Sequence, residues 1–151
     1  MVDDDENVLH GLARMLRKQP YRIYTAKSAD EAMWILKCQE IDVLLTDEKM
    51  PGCTGNELLA WVAEFYPDTM RIMLTGVPTV ETAIRAINEG GVFQFFTKPC
   101  HDVELAIAIR KAMEERDRRR QDRRLLSSVT TSSPQPDPCL EAVGPLGEPV
   151  Q

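Results

Sequence analysis

Paired cysteines, histidine and long apolar runs are scarce in this chain, and each scarcity removes a class of protein. The four cysteines, Cys38, Cys53, Cys100 and Cys139, show no CxxC spacing and no companion metal-ligand pattern. That argues against a zinc module and a secreted disulfide scaffold, and for reduced thiols in a cytoplasmic protein. No apolar stretch approaches the ~18 residues of a membrane span. Met1-Val2-Asp3-Asp4-Asp5 has neither the basic start nor the apolar run of a signal peptide. The two histidines, His10 and His101, are read as surface or helix-cap residues with no assigned role.

What is present is one domain's worth of ordinary globular sequence. The chain has 151 residues, 43% hydrophobic and 28% charged, within the range of a single packed core. The net charge of −6 is uneven. Residues 110 to 124 hold eight Lys/Arg and four Asp/Glu, leaving −10 on the rest. An acidic body repels nucleic acid and attracts cations. The basic run is interleaved with acids and reads as a solvated helix face rather than a nucleic-acid contact. Residues 127–151 are rich in Ser, Thr, Pro and Gly and contain no aromatic residue, so they are expected to be disordered.

Within the body, strand-like and helix-like segments alternate. Val8, Leu9, Leu12, Met15 and Leu16 share one face of a helix over Asn7 to Gln19. A strand is expected at Tyr21 to Ala26. Ser28 and Glu31 then form a capping box before a helix carrying Ala32, Met33, Ile35 and Leu36. Val43-Leu44-Leu45, within Ile41 to Thr46, is a strand buried on both faces. Gly52 and Gly55 mark a loop, and Asn56 is expected to cap a helix through about Phe65. Met70 to Leu74 is a strand, and a helix from Thr79 or Val80 to Glu89 closes at Gly90-Gly91. Val92 to Thr97 is the last strand, followed after Pro99 by a helix from about Asp102 to Leu125. Repeated βα units joined by short connections predict a parallel sheet with helices on both faces. In such sheets ligands bind beyond the carboxyl ends of the strands.

Those ends carry chemistry. Val2 precedes Asp3-Asp4-Asp5, Thr46 precedes Asp47, Leu74 precedes Thr75-Gly76, and Thr97 precedes Lys98-Pro99. Singly, each is an ordinary turn former, cap or solvated charge. Together they aim carboxylates, a hydroxyl and an amine at one edge. Crowded carboxylates need raised pKa values or a bound cation. Hard oxygen ligands suit Mg²⁺, which commonly accompanies phosphoryl groups, and a lysine balances phosphate charge. The shared chemistry is phosphoryl transfer to a carboxylate, with Asp47 the natural acceptor because it ends the most apolar strand.

The four motifs, Val2-Asp3-Asp4-Asp5, Asp47-Glu48-Lys49-Met50-Pro51-Gly52 with Gly55, Leu74-Thr75-Gly76 and Phe96-Thr97-Lys98-Pro99, resemble the receiver domain of two-component response regulators. The resemblance covers roughly residues 1–115. It implies a flavodoxin-like doubly wound (βα)5 sandwich with a parallel five-stranded sheet of order 2-1-3-4-5. It further implies that Asp47 accepts phosphate from a sensor histidine kinase or phosphotransfer protein. Mg²⁺ would be held by Asp4, Asp3, Asp47 and the backbone carbonyl of Lys49. Thr75 would be the switch hydroxyl, Phe95 the aromatic switch residue, Lys98 the phosphate-contacting lysine, and Lys98-Pro99 a cis bond. Asp5 would be only a neighbour of the acidic pair. The implied output is altered binding of a downstream protein, or of a second copy, through the face of the fourth helix, fifth strand and fifth helix. No membrane or nucleic-acid partner and no enzymatic turnover beyond self-phosphorylation and slow self-dephosphorylation are expected. A phosphohydrolase of similar chemistry needs an acid two residues after the nucleophile, and Lys49 stands there.

Two departures shape the remaining expectations. Only Met1 and Val2 precede the acidic pair, where the family has a full apolar strand. The expectation is a first strand that is truncated here, with Met1 internal to it and the true start upstream. At the other end, the last helix continues as a charged extension, residues 116–126, which lacks the apolar seam of a coiled coil and reads as a solvated linker. The alternatives weighed are a phosphate-independent scaffold of the same fold and a fragment of a longer regulator that lost its output domain. Residues Gly91 to Cys100 resemble receivers that precede HD-type cyclic-dinucleotide phosphodiesterases.

Overall fold

Residues 1–130 are described by the computed structural model of this chain. Helices and strands alternate as α1 Glu6–Leu16, α2 Ala29–Cys38, β1 Val43–Thr46, α3 Gly55–Phe65, β2 Met70–Thr75, α4 Val80–Asn88, β3 Gln94–Thr97 and α5 Asp102–Thr130. Strands β1, β2 and β3 pair in parallel in that order. The two expected strands nearest the N-terminus shrink to single bridges: Val2 pairs with Thr46 on one side and with Ala26 on the other. The lateral order is therefore Ala26, Val2, β1, β2, β3, which is the order 2-1-3-4-5 with its first two members abbreviated. Tyr21–Thr25 forms no strand; among the described residues its end meets the N-terminus through three bonds, Asp3 to the Ala26 carbonyl, Ala26 to the Met1 carbonyl and the Met1 amino group to the Tyr24 carbonyl.

The sheet divides the core into two layers. Alternation along β1 and β2 sends Leu44 and Met73 to one face and Leu45, Ile72 and Leu74 to the other. The first face packs on Ala32 and Leu36 of α2, Leu58, Leu59 and Val62 of α3, and Ala86 of α4. The second packs on Leu16 of α1 and on Leu105, Ala108, Ile109 and Ala112 of α5. Every residue of β2 is buried, which makes it the centre of the fold. No described helix is long and apolar enough to cross a membrane.

Local caps follow the side chains, with two corrections. Asp5 caps α1 by accepting from the Asn7 amide, and Ser28 accepts from the Glu31 amide. Glu31 reaches one residue further back than a capping box requires and accepts from the Lys27 amide. Helix α3 is capped by Thr54, in a reciprocal box with Glu57, not by Asn56. Asn56 is buried inside the first turn, where its side-chain amide donates to the Thr82 carbonyl of α4. The last helix runs to Thr130, past the expected end near Leu125 and four residues into the expected tail. Within it the Ser127 and Ser128 hydroxyls turn back and donate to the carbonyls of Arg124 and Leu125. The rest of the expected tail, residues 131–151, lies outside the described residues.

One buried cation holds the far end of α4. The Arg71 guanidinium of β2 donates to four backbone carbonyls: Gly90 at 2.7 Å, Thr69 at 2.8 Å, and Pro67 and Gly91 at 3.3 Å each. Gly91 has φ +55°, and a Cβ there would stand 3.1 Å from Arg71 Nη2. Removing the guanidinium leaves these acceptors without their donor. Arg71→Met is expected to lower stability by about 2–4 kcal/mol, measured as a reduced urea midpoint. A loss below about 0.5 kcal/mol, the range of ordinary surface substitutions, would show that water replaces the guanidinium freely.

Candidate functional site

The parallel direction of the strands brings the predicted residues to one edge, and the ladder holds their backbones there. The Asp3 amide donates to the Ala26 carbonyl, the Asp47 amide to Val2, and the Lys98 amide to Thr75. Each of the three is thus the first residue beyond regular pairing and is still tied to the neighbouring strand. Their side chains meet. Lys98 Nζ stands 2.6 Å from Asp3 Oδ2 and 3.5 Å from Asp47 Oδ2. Asp3, Asp4 and Asp47 each bring a carboxylate oxygen within 4.8 Å of the others. The Asp3 and Asp47 side chains are only 5% and 11% exposed, whereas Asp4 is exposed.

Hydrogen bonds orient the two buried carboxylates. Asp3 Oδ1 accepts from the Asp5 amide at 2.9 Å, and Asp47 Oδ1 accepts from the Glu48 amide at 2.8 Å. In each, one oxygen is held by the backbone and the other faces Lys98. Burial pushes the Asp47 pKa up. Lys98 opposes that shift, and the neighbouring Asp3 charge adds to it. For Lys98, burial works against the charge, but the Asp3 hydrogen bond and the charges of Asp47 and Asp3 outweigh it and raise the pKa. Three carboxylates share one ammonium, so the site has room for further positive charge.

The loop after Asp47 is pinned to α3. The Gly55 amide donates to the Glu48 carbonyl at 2.9 Å, and Glu48 Oε2 accepts from the Asn56 amide at 2.7 Å. A Cβ on Gly55 would fall 2.1 Å from the Asp47 carbonyl oxygen, so only glycine permits this approach. The sequence marks Asn56 only as a helix cap and Glu48 only as a member of the Asp47 motif, and does not by itself pair the two. A carboxylate beside the acceptor and seven residues before a helix start was the available signal. Of the other predicted residues, Thr75 is fully buried at the end of β2, where its hydroxyl accepts from the Val77 amide. Phe95 is half-buried against the core on the α2–α3–α4 side. Lys49 is exposed. Lys98-Pro99 is cis.

Comparison with known proteins places the chain in a family. The response regulator receiver domain family matches residues 1–110. The chain belongs to that family. This receiver is 36% identical over 134 residues to the hydrogenase transcriptional regulatory protein HoxA of Cupriavidus necator, covering 89% of this chain and 28% of HoxA. It is 31% identical to the transcriptional regulatory protein GlrR of Escherichia coli, covering 89% of this chain and 30% of GlrR. The receiver therefore spans under a third of the length of either relative. Among solved structures, the signal receiver domain of an HD domain-containing protein from Pseudomonas fluorescens Pf-5 matches with a TM-score of 0.76 at 36% identity. That match covers 77% of this chain and 93% of that one. The chain is thus a receiver of the two-component type with the flavodoxin-like fold, and receivers of this family work with histidine kinases and downstream targets.

The raised pKa of Asp47 has a consequence for stability. The folded chain takes up this proton at higher pH than the unfolded chain does, so stability falls as pH rises above the ordinary carboxylate value near ~3.9. Ionised Asp47 therefore burdens the fold at neutral pH. Asp47→Asn is expected to raise the urea midpoint at about pH 7 and to lose that advantage below about pH 4. Equal midpoints at neutral pH would show that Lys98 alone offsets the burial.

Proposed function

We propose that this receiver unit, residues 1–115, accepts a phosphoryl group on Asp47 and thereby changes its preference for a protein partner. The observation that carries this reading is the position of Lys98 Nζ, which contacts Asp3 and Asp47 together at the end of the sheet. Asp47 Oδ2 faces that amine while Oδ1 is engaged by the Glu48 amide, so Oδ2 is the oxygen that attacks phosphorus. As the new P–O bond forms, the bond from phosphorus to the nitrogen of a kinase or phosphotransfer histidine breaks. That nitrogen keeps the electron pair. Lys98 then balances the charge of the phosphoryl oxygens.

The donor set of three hard carboxylates fits Mg²⁺. Asp4, Asp3 and Asp47, with the Lys49 carbonyl, would hold it. When bound, the ion would neutralise charge on the transferring phosphoryl group. Thr75 is the hydroxyl proposed to turn toward the phosphoryl group, giving up its bond from the Val77 amide, and Phe95 is proposed to repack in response. The partner surface is the face of α4, β3 and α5, where Val80, Ile84 and Ile87 of α4 and Val103 of α5 are exposed. The proposed setting is the cytoplasm, with no turnover beyond the receiver's own phosphorylation and slow dephosphorylation.

Intact-mass spectrometry after incubation with acetyl phosphate and Mg²⁺ tests the reading. A gain of one phosphoryl group, about 80 Da, is expected in the wild type, is lost without Mg²⁺, and is absent in Asp47→Ala. A folded wild type that gains nothing would leave a phosphate-independent scaffold. A gain that persists in Asp47→Ala would move the acceptor to another residue.

A further inference from the structure

The arginines of the last helix are not simply solvated. Arg116, Arg120 and Arg123 stand at i, i+4 and i+7, which places them on one face of α5. That face meets acids from the sheet edge opposite Asp47. Arg116 Nη2 lies 2.9 Å from Glu40 Oε1 and 2.6 Å from Asp42 Oδ1, both just before β1. Arg120 also pairs with Glu40. Arg123 forms a two-pronged pair with Asp68, just before β2, at 2.7 and 3.0 Å. The acids respond: the Arg120 hydrogen bond draws the Glu40 pKa down, and the Arg123 hydrogen bond does the same for Asp68.

Two observations make this row a device rather than a surface coincidence. Residues 114–124 contain no apolar side chain, so hydrophobic burial does not dock this stretch of helix on the body. Arg116 nonetheless has a side chain only 8% exposed, and its buried Nε has no partner among the described residues. A charge so placed depends on its carboxylates, because losing them would strand it. Meanwhile a separate set of pairs keeps the segment helical without touching the body. Glu115 pairs with Arg118 and Arg119, and Arg118 with Asp122. The pairs that make the helix and the pairs that dock it are different.

We propose that Arg116, Arg120 and Arg123 form an ionic latch with Glu40, Asp42 and Asp68 that fixes the direction in which α5 leaves the receiver. Closed, it makes the extension one rigid body with the sheet. Opened by screening or by loss of the acids, it frees the segment beyond Met113 to swing as an intact helix.

Spin labels on the exposed Cys38 and on Ser128→Cys, with Cys53→Ser, Cys100→Ser and Cys139→Ser, report that direction as a distance distribution. At roughly 0.05 M salt a single narrow distance is expected. At about 1 M, where the screening length falls to ~3 Å, its width should grow at least about twofold while helical circular dichroism holds. The same broadening at low salt is expected in Glu40→Gln/Asp42→Asn/Asp68→Asn. Arg123→Asp alone should broaden the distribution, and adding Asp68→Arg should narrow it again. The salt series uses the native charges and does not depend on any charge variant folding. Equal widths at both salts, a broad distribution already at low salt, or failure of the charge swap to narrow the distance would each overturn the latch.

Discussion

Everything at the working edge of this receiver follows from an imbalance of charge: three carboxylates gathered around one ammonium. Such a cluster survives only because strong local bonds hold it against its own repulsion. The ladder fixes the backbones of Asp3, Asp47 and Lys98 to neighbouring strands, and backbone amides hold one oxygen of each buried carboxylate. The buried residues of β2 and the two core layers set the sheet rigidly enough for this to work. The site is consequently a place where the fold gives up stability to keep negative charge available.

Much of this was legible in the chain because it is written locally. An apolar run followed at once by Asp, Thr or Lys marks a strand end, and alternation of strands with helices places all such ends on one edge. Asp3, Asp47 and Lys98 meet on that logic, and Asp5 falls aside as the cap of α1. Where two local signals competed, reading was less secure. Both Thr54 and Asn56 can cap a helix. The structure uses Thr54 with Glu57 and buries Asn56 against α4. The strand expected at Tyr21 to Ala26 has the right side chains but too few neighbouring backbone groups, and pairing is a property of two segments.

What could not be read depends on partners distant in sequence. Arg71 sits in an apolar strand and looks out of place there until Gly90 and Gly91 come round to accept from it. The basic run at the end of α5 has the periodicity of a solvated helix, and nothing in its own composition points to Glu40, Asp42 or Asp68, which lie 55 to 80 residues away. Charge pairs across a fold leave no period in the sequence, whereas burial does.

The unequal fastening of α4 has its own consequence. The residues just past its C-terminal end, Gly90 and Gly91, are gripped by two bonds from the buried Arg71, whose other two bonds anchor it to Pro67 and Thr69, while its first turn is tied to α3 by one 3.3 Å bond from Asn56. A beam clamped at one end and lightly pinned at the other moves by tilting about the clamp. Any displacement of α4 is therefore largest at Val80 and smallest at Ile87, so a partner of the proposed kind would meet the change at the residues nearest the loop that follows Thr75.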